Sequence, residues 1–114
     1  MLNKLRNFHF IGIGGAGMSA IAHVLIKRGY NVSGSDLNAG RVSARLANEG
    51  AMVFIGHDAC QVKDADAEAV VVSTAIKADN PEVVAAKEQN IPVLHRSDVL
   101  AAIFNQGDGV AVAG

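Results

Sequence analysis

The sequence predicts an α/β fold: a doubly wound, mostly parallel five-stranded sheet with helices on both faces. Three observations carry this. Short β-rich apolar runs alternate with helix-period segments along the whole chain. Half of the residues are hydrophobic but only 4% are aromatic, so the apolar filling is Val, Ile, Ala and Leu, as in a parallel sheet covered by helices. The first strand-like run ends in glycines that lead directly into a helical pattern.

Residues 8–13 (FHFIGI) form the first predicted strand, short and apolar. Met18, Ile21, Ala22, Leu25 and Ile26 then recur at the spacing of one helix face. Lys27 and Arg28 suit the negative end of that helix, and Gly29 its C-terminal cap. Residues 30–35 (YNVSGS) are a second strand ending at Asp36, and residues 41–48 a second helix, with Val42 and Leu46 inward and Gly50 as its stop. The third strand is 51–55 (AMVFI) and the fourth 69–73 (AVVVS), the latter apolar enough to be buried on both faces. Asn80, Pro81 and Glu82 read as N-cap, first helical position and acidic first turn of a helix to about residue 89. Residues 91–94 (IPVL) form a fifth strand with Pro92 near its start. Ser97 is the expected cap of a last helix carrying Val99, Leu100, Ile103 and Phe104. Residues 109–113 (GVAVA) then open a further strand, so the chain reads as cut from something longer.

A chain of 114 residues fits one domain and buries roughly two-thirds of its unfolded surface without a disulfide or metal. The net charge of −1 and the lack of a basic stripe argue against nucleic acid or an anionic membrane as partner. Cys60 is the only cysteine, which excludes an internal disulfide and a cysteine-cluster metal site and fits a reducing cytoplasm. No apolar run reaches the roughly 18 residues of a membrane span, and the start lacks the layout of a signal peptide. A cytoplasmic location is expected. The four histidines have no metal-ligand spacing. His9, within a strand, and His23, on a polar helix face, read as structural, while the role of His95 stays open.

The chemistry is concentrated in residues 12–17 (GIGGAG), a G-x-G-x-x-G with one additional glycine, set between strand and helix. Gly12 permits a tight turn, Gly14 and Gly15 let a ligand approach bare backbone, and Gly17 lets the helix pack close to the sheet. Free N–H groups at the helix start form an anion site that needs no lysine. Met18 and Ser19 follow in the first turn, where the Ser19 hydroxyl adds a donor. A diphosphate is the implied ligand; the glycines alone leave NAD, FAD and a UDP-sugar open. Asp36, at the end of the second strand, stands where dinucleotide folds place a carboxylate on ribose hydroxyls. The fold is therefore expected to be Rossmann-like.

Four segments go further. FIGIGGAGMSAIA, the GSD ending at Asp36, VVVSTAIKADNPEV (residues 70–83) and HRSDVL (residues 95–100) together resemble the L-alanine-adding members of the Mur ligase family of peptidoglycan synthesis. The resemblance covers nearly the whole chain in order. It implies that residues 1–107 form a domain for UDP-N-acetylmuramate or UDP. It also implies that residues 108–114 begin an ATPase domain, with Gly114 the first residue of an ATP-binding loop. ATP and Mg2+ would serve the full-length enzyme, and this piece alone would be inactive. Within the UDP-sugar site, the resemblance implies that Gly14, Gly15, Ala16, Gly17, Met18 and Ser19 hold the diphosphate. Ser35 and Asp36 would meet the ribose or base edge, and His57 would lie beside the uracil. Ser73, Thr74 and Ala75 would line the cleft, and Arg96 would offer its guanidinium to an anionic group. No catalytic residue and no metal ligand is expected in this piece. Two rivals share the glycine turn: an NAD-binding regulatory module and a small NAD(P)-dependent reductase. Neither accounts for the STAI and DNPE segments.

Overall fold

A computed structural model describes residues 5–38 and 40–105. Five strands, β1 (Asn7–Ile11), β2 (Asn31–Asp36), β3 (Met52–Ile55), β4 (Ala69–Val72) and β5 (Val93–His95), form one sheet in the order β3-β2-β1-β4-β5. Every neighbouring pair is parallel, so the sheet is wholly rather than mostly parallel. The helices are α1 (Ala16–Lys27), α2 (Arg41–Asn48), α3 (Ala59–Asp64), α4 (Pro81–Glu88) and α5 (Arg96–Asn105).

Strand alternation sorts the core into two halves. Phe8, Phe10, Val32, Ala69 and Val71 pack with Ile21, Ala22 and Leu25 of α1, Leu46 of α2, and Val99 and Ile103 of α5. Ile11 and Val70, pointing the other way, pack with Val62 of α3 and Val83, Ala85 and Ala86 of α4. These two halves are the doubly wound architecture. Strand order reverses between β1 and β4, and ligands of such sheets bind outside the carboxyl ends of the strands at that point.

Local chemistry explains most element ends. Gly29, at φ +90°, follows the last residues of α1, and Arg28 and Gly29 donate back to Val24, Leu25 and Ile26. Asn80 caps α4 by accepting from the Glu82 N–H at 2.9 Å, with Pro81 at the first helical position. Four expectations change. Helix α3 is additional: Asp58 caps it through the Cys60 N–H, but its single apolar contact residue, Val62, leaves no periodic pattern to read. Helix α5 begins at Arg96, and Ser97 lies inside it. The cap is His95, whose Nδ1 accepts from the Ser97 N–H at 3.2 Å while Asp98 accepts from the His95 N–H. Strand β5 starts only at Val93, because Pro92 has no N–H to give the ladder. Gly12 and Ile13 leave the first strand for a turn, with Gly12 at φ +81°. The strand expected at 109–113, Gly114 and the packing of the Phe104 side chain lie outside what the structure describes.

The turn after β1 is folded onto β2. Gly12 and Ile13 both donate to the Ser35 carbonyl, at 2.8 and 3.0 Å. Ile13 then lies so close over Gly34 that a Cβ there would stand 2.6 Å from Ile13 Cβ and 2.8 Å from the Phe10 carbonyl oxygen. Gly34 is thus the one position in β2 where the absent side chain decides the packing. Gly34→Ala should destabilise the fold by about 1–3 kcal/mol, the scale of overpacking against backbone, measured by urea unfolding.

Candidate functional site

The carboxyl ends of β1, β2 and β4 converge on the start of α1. Gly15 is the N-cap, in extended conformation with no side chain to cap the helix, and the first turn holds no acidic residue. Ser19 is the first residue of α1 whose N–H finds a helical acceptor, the Gly15 carbonyl at 2.8 Å. The N–H groups of Ala16, Gly17 and Met18 are therefore the unpaired donors of a helix start, where the dipole also favours negative charge. Ala16 and Gly17 are exposed. Over Gly17 lies the Arg96 guanidinium, with Nη1 only 3.1 Å from where a Cβ would stand. Gly17 makes room for a cation, not for the sheet. Backbone donors and a guanidinium at one helix start make a site for a doubly charged anion.

Other expected site residues gather around this point in different ways. The Met18 side chain is buried in the core, so only its N–H faces the turn. The Ser19 hydroxyl donates back to the Ala16 carbonyl at 3.1 Å, which corrects the expectation that it adds a free donor. Asp36 is occupied with main chain: Oδ2 accepts from the Gly14 N–H at 2.7 Å and Oδ1 from the Leu37 N–H at 2.9 Å. It braces the glycine turn while keeping lone pairs for further donors. A Cβ on Gly14 would collide with that same Asp36 oxygen. Ser73, Thr74 and Ala75 follow β4 in a turn closed by Ile76 N–H on the Ser73 carbonyl at 3.1 Å, with Thr74 and Ala75 exposed. Ile76 reaches back to within 3.6 Å of the Cβ position of Gly12, so the fourth strand's loop meets the glycine turn. Gly114 lies outside the described residues.

Ser35 and His57 belong to a second, buried assembly beneath the same strand ends. Its centre is Glu82, in the first turn of α4, with no solvent exposure. Oε1 accepts from Nε2 of His9, also fully buried, at 2.5 Å. Oε2 faces His57 Nδ1 at 3.1 Å and accepts from the Asp58 N–H at 3.2 Å. The Gln61 amide, in the orientation that satisfies its neighbours, donates to the Gly56 carbonyl at 3.0 Å and to Glu82 Oε2 at 3.2 Å. Ser33 Oγ pairs with His9 Nδ1, and Ser35 Oγ with His57 Nδ1, both at 2.8 Å. Burial pushes the Glu82 carboxyl up. The hydrogen bonds from His9, Ser35 and His57, with the charge of His9, outweigh it and hold the group below the usual carboxylate range. The sequence reading missed this centre, because a Glu after Asn-Pro signals a helix start whether its side chain turns out or in. His9 did read as structural, on its strand position. His23 is also structural, pairing through Nδ1 with Glu49 at 2.6 Å.

Comparison with known proteins gives the family and the fold. The sequence model of the family described as "Mur ligase family, catalytic domain" matches residues 7–107. The chain is 52% identical over its whole length to UDP-N-acetylmuramate–L-alanine ligase of Azoarcus sp. (strain BH72), and spans 24% of that relative. Among solved structures it resembles the UDP-N-acetylmuramate-alanine ligase of Thermotoga maritima at 34% identity and TM-score 0.77, over 82% of this chain and 21% of that one. It also resembles the UDP-N-acetylmuramate:L-alanyl-gamma-D-glutamyl-meso-diaminopimelate ligase from Neisseria meningitides at 28% identity and TM-score 0.79, over 86% and 31%.

Glu82→Ala leaves His9 and the Asp58 amide without their acceptor and should destabilise the fold by about 3–5 kcal/mol in urea unfolding. Because the folded carboxyl titrates below its unfolded value, its stabilisation is complete at neutral pH and is lost as pH falls through the folded value. Glu82→Gln should therefore flatten the loss of stability that the native protein shows below about pH 4, followed by unfolding across that range.

Proposed function

The chain belongs to the Mur ligase family, and we propose that it is the UDP-N-acetylmuramate-binding domain of a ligase that adds L-alanine to that sugar nucleotide. The carrying observation is the uncapped start of α1, with its unpaired amides beside the Arg96 guanidinium at the carboxyl end of β1. In this reading residues 14–19 form the pyrophosphate turn, whose free N–H groups, those of Ala16, Gly17 and Met18, grip the pyrophosphate together with Arg96. Asp36, at the end of β2, takes the ribose hydroxyls. Ser35 and His57 stand at the base end, and Ser73, Thr74 and Ala75 line the wall opposite.

The chain spans about a quarter of the length of the curated relatives it matches. On this reading residues 1–107 are the substrate domain, and the ATPase part, opening at 108–114 with Gly114 in its loop, lies in the remainder. ATP with Mg2+ supplies the phosphoryl group that activates the muramate carboxylate, and no described residue is assigned to either. The role of this domain is positional: fixing the nucleotide end sets where the distant carboxylate can reach. Among the described residues no helix is long and apolar enough to cross a membrane, and a cytoplasmic site of action follows from the nucleotide substrate. Neither nucleic acid nor a membrane is a proposed partner.

Titration calorimetry with UDP and NAD+ tests the reading. UDP should bind and NAD+ should not; preference for NAD+ would turn the domain into a dinucleotide-binding regulatory module. Asp36→Ala and Gly14→Ala should each weaken UDP by about 1–3 kcal/mol while the circular dichroism spectrum stays native, the first by removing an acceptor, the second by pushing Asp36 off the turn.

A further inference from the structure

We propose that Glu82, which sits beneath the cleft, is a positioning residue that holds His57 in the tautomer protonated at Nδ1, so that Nε2 is an acceptor that selects uracil over cytosine. The proposal rests on the UDP reading above.

The base end is located by topology. With the pyrophosphate at the β1–α1 turn and the ribose at Asp36, the nucleotide runs along the strand ends toward β3, the neighbour of β2 at the sheet edge. Asp36 is in register with Ile55, and His57 follows two residues later. Leu37 and Ile55, at these same strand ends, are 66% and 53% exposed, large apolar side chains of the kind a flat base covers.

The ring of His57 is constrained from below. Its Nδ1 faces Ser35 Oγ at 2.8 Å and Glu82 Oε2 at 3.1 Å. Glu82 already collects His9 Nε2, the Asp58 N–H and the Gln61 amide, a set of donors that suits an ionised carboxylate, which can only accept. Nδ1 must then carry the hydrogen, and in the tautomer so fixed Nε2 holds the lone pair. Among the described residues Nε2 has no protein partner, and the side chain keeps 15% of its surface open. An acceptor there pairs with the N3–H of uracil. Cytosine presents a lone pair at N3, so the same atom repels it.

Two measurements on the intact protein decide this. Nitrogen correlation NMR of ligand-free protein should show His57 protonated at Nδ1; protonation at Nε2 overturns the proposal whatever binds. Calorimetry should show UDP preferred to CDP by about tenfold or more. Glu82→Leu should reduce that preference to within about threefold. Glu82→Gln should keep it, because the Asp58 and Gln61 donors draw the amide oxygen to the Oε2 position. Should Glu82→Leu not fold, the native spectrum and Glu82→Gln still decide, and loss of preference in Glu82→Gln counts against the proposal. An undiminished preference in folded Glu82→Leu refutes the positioning role and leaves the UDP reading standing. A native protein that binds no UDP removes both.

Discussion

A carboxylate with no access to water has to collect donors or lose its charge, and Glu82 collects them from every element around it. His9 comes from β1, with Ser33 of β2 behind it. Ser35 comes from the end of β2, His57 and the Asp58 amide from the loop after β3, and Gln61 from α3. One side chain on α4 thus ties together the carboxyl ends of β2 and β3 and the short helix that follows. A helix of six residues has little stability of its own, and α3 stands because its cap, its Gln61 and its Val62 are all held from this side.

The other face of the sheet obeys a different constraint. The chain must leave β1, turn within four residues and start α1 with its amides unobstructed. Two donors to one carbonyl, that of Ser35, secure the turn, and Gly34 yields the space Ile13 needs. Ser35 is where the two constraints meet: its carbonyl holds the glycine turn on one side, and its hydroxyl joins the buried network on the other. A single residue near the end of β2 therefore relates the uncapped start of α1 to His57.

Asp36 and Arg96 show how the same economy extends to the charged groups. Both oxygens of Asp36 are engaged with main-chain amides, so the carboxylate shapes the turn before any ligand arrives. Arg96, in the first turn of α5, crosses to α1 because Gly17 has no side chain in the way. The preorganisation is local and made of backbone. A pyrophosphate would find donors already aimed, with little ordering left to do.

The alternation of β-rich runs with helix-period segments, the Asn80–Pro81 cap and the glycine turn are short-range features, and the sequence by itself determined them together with the parallel α/β class. Short-range signals survive because the atoms that generate them are neighbours in the chain. Tertiary structure decided the rest: that Gly17 serves Arg96, that Ser19 turns back on its own helix, that α3 exists, and that Glu82 points inward. His9 and Glu82 are 73 positions apart, and no local pattern distinguishes a first-turn glutamate facing water from one facing a buried imidazole. Only the closing of β1 against β4 and the docking of α4 bring the two groups within hydrogen-bond reach.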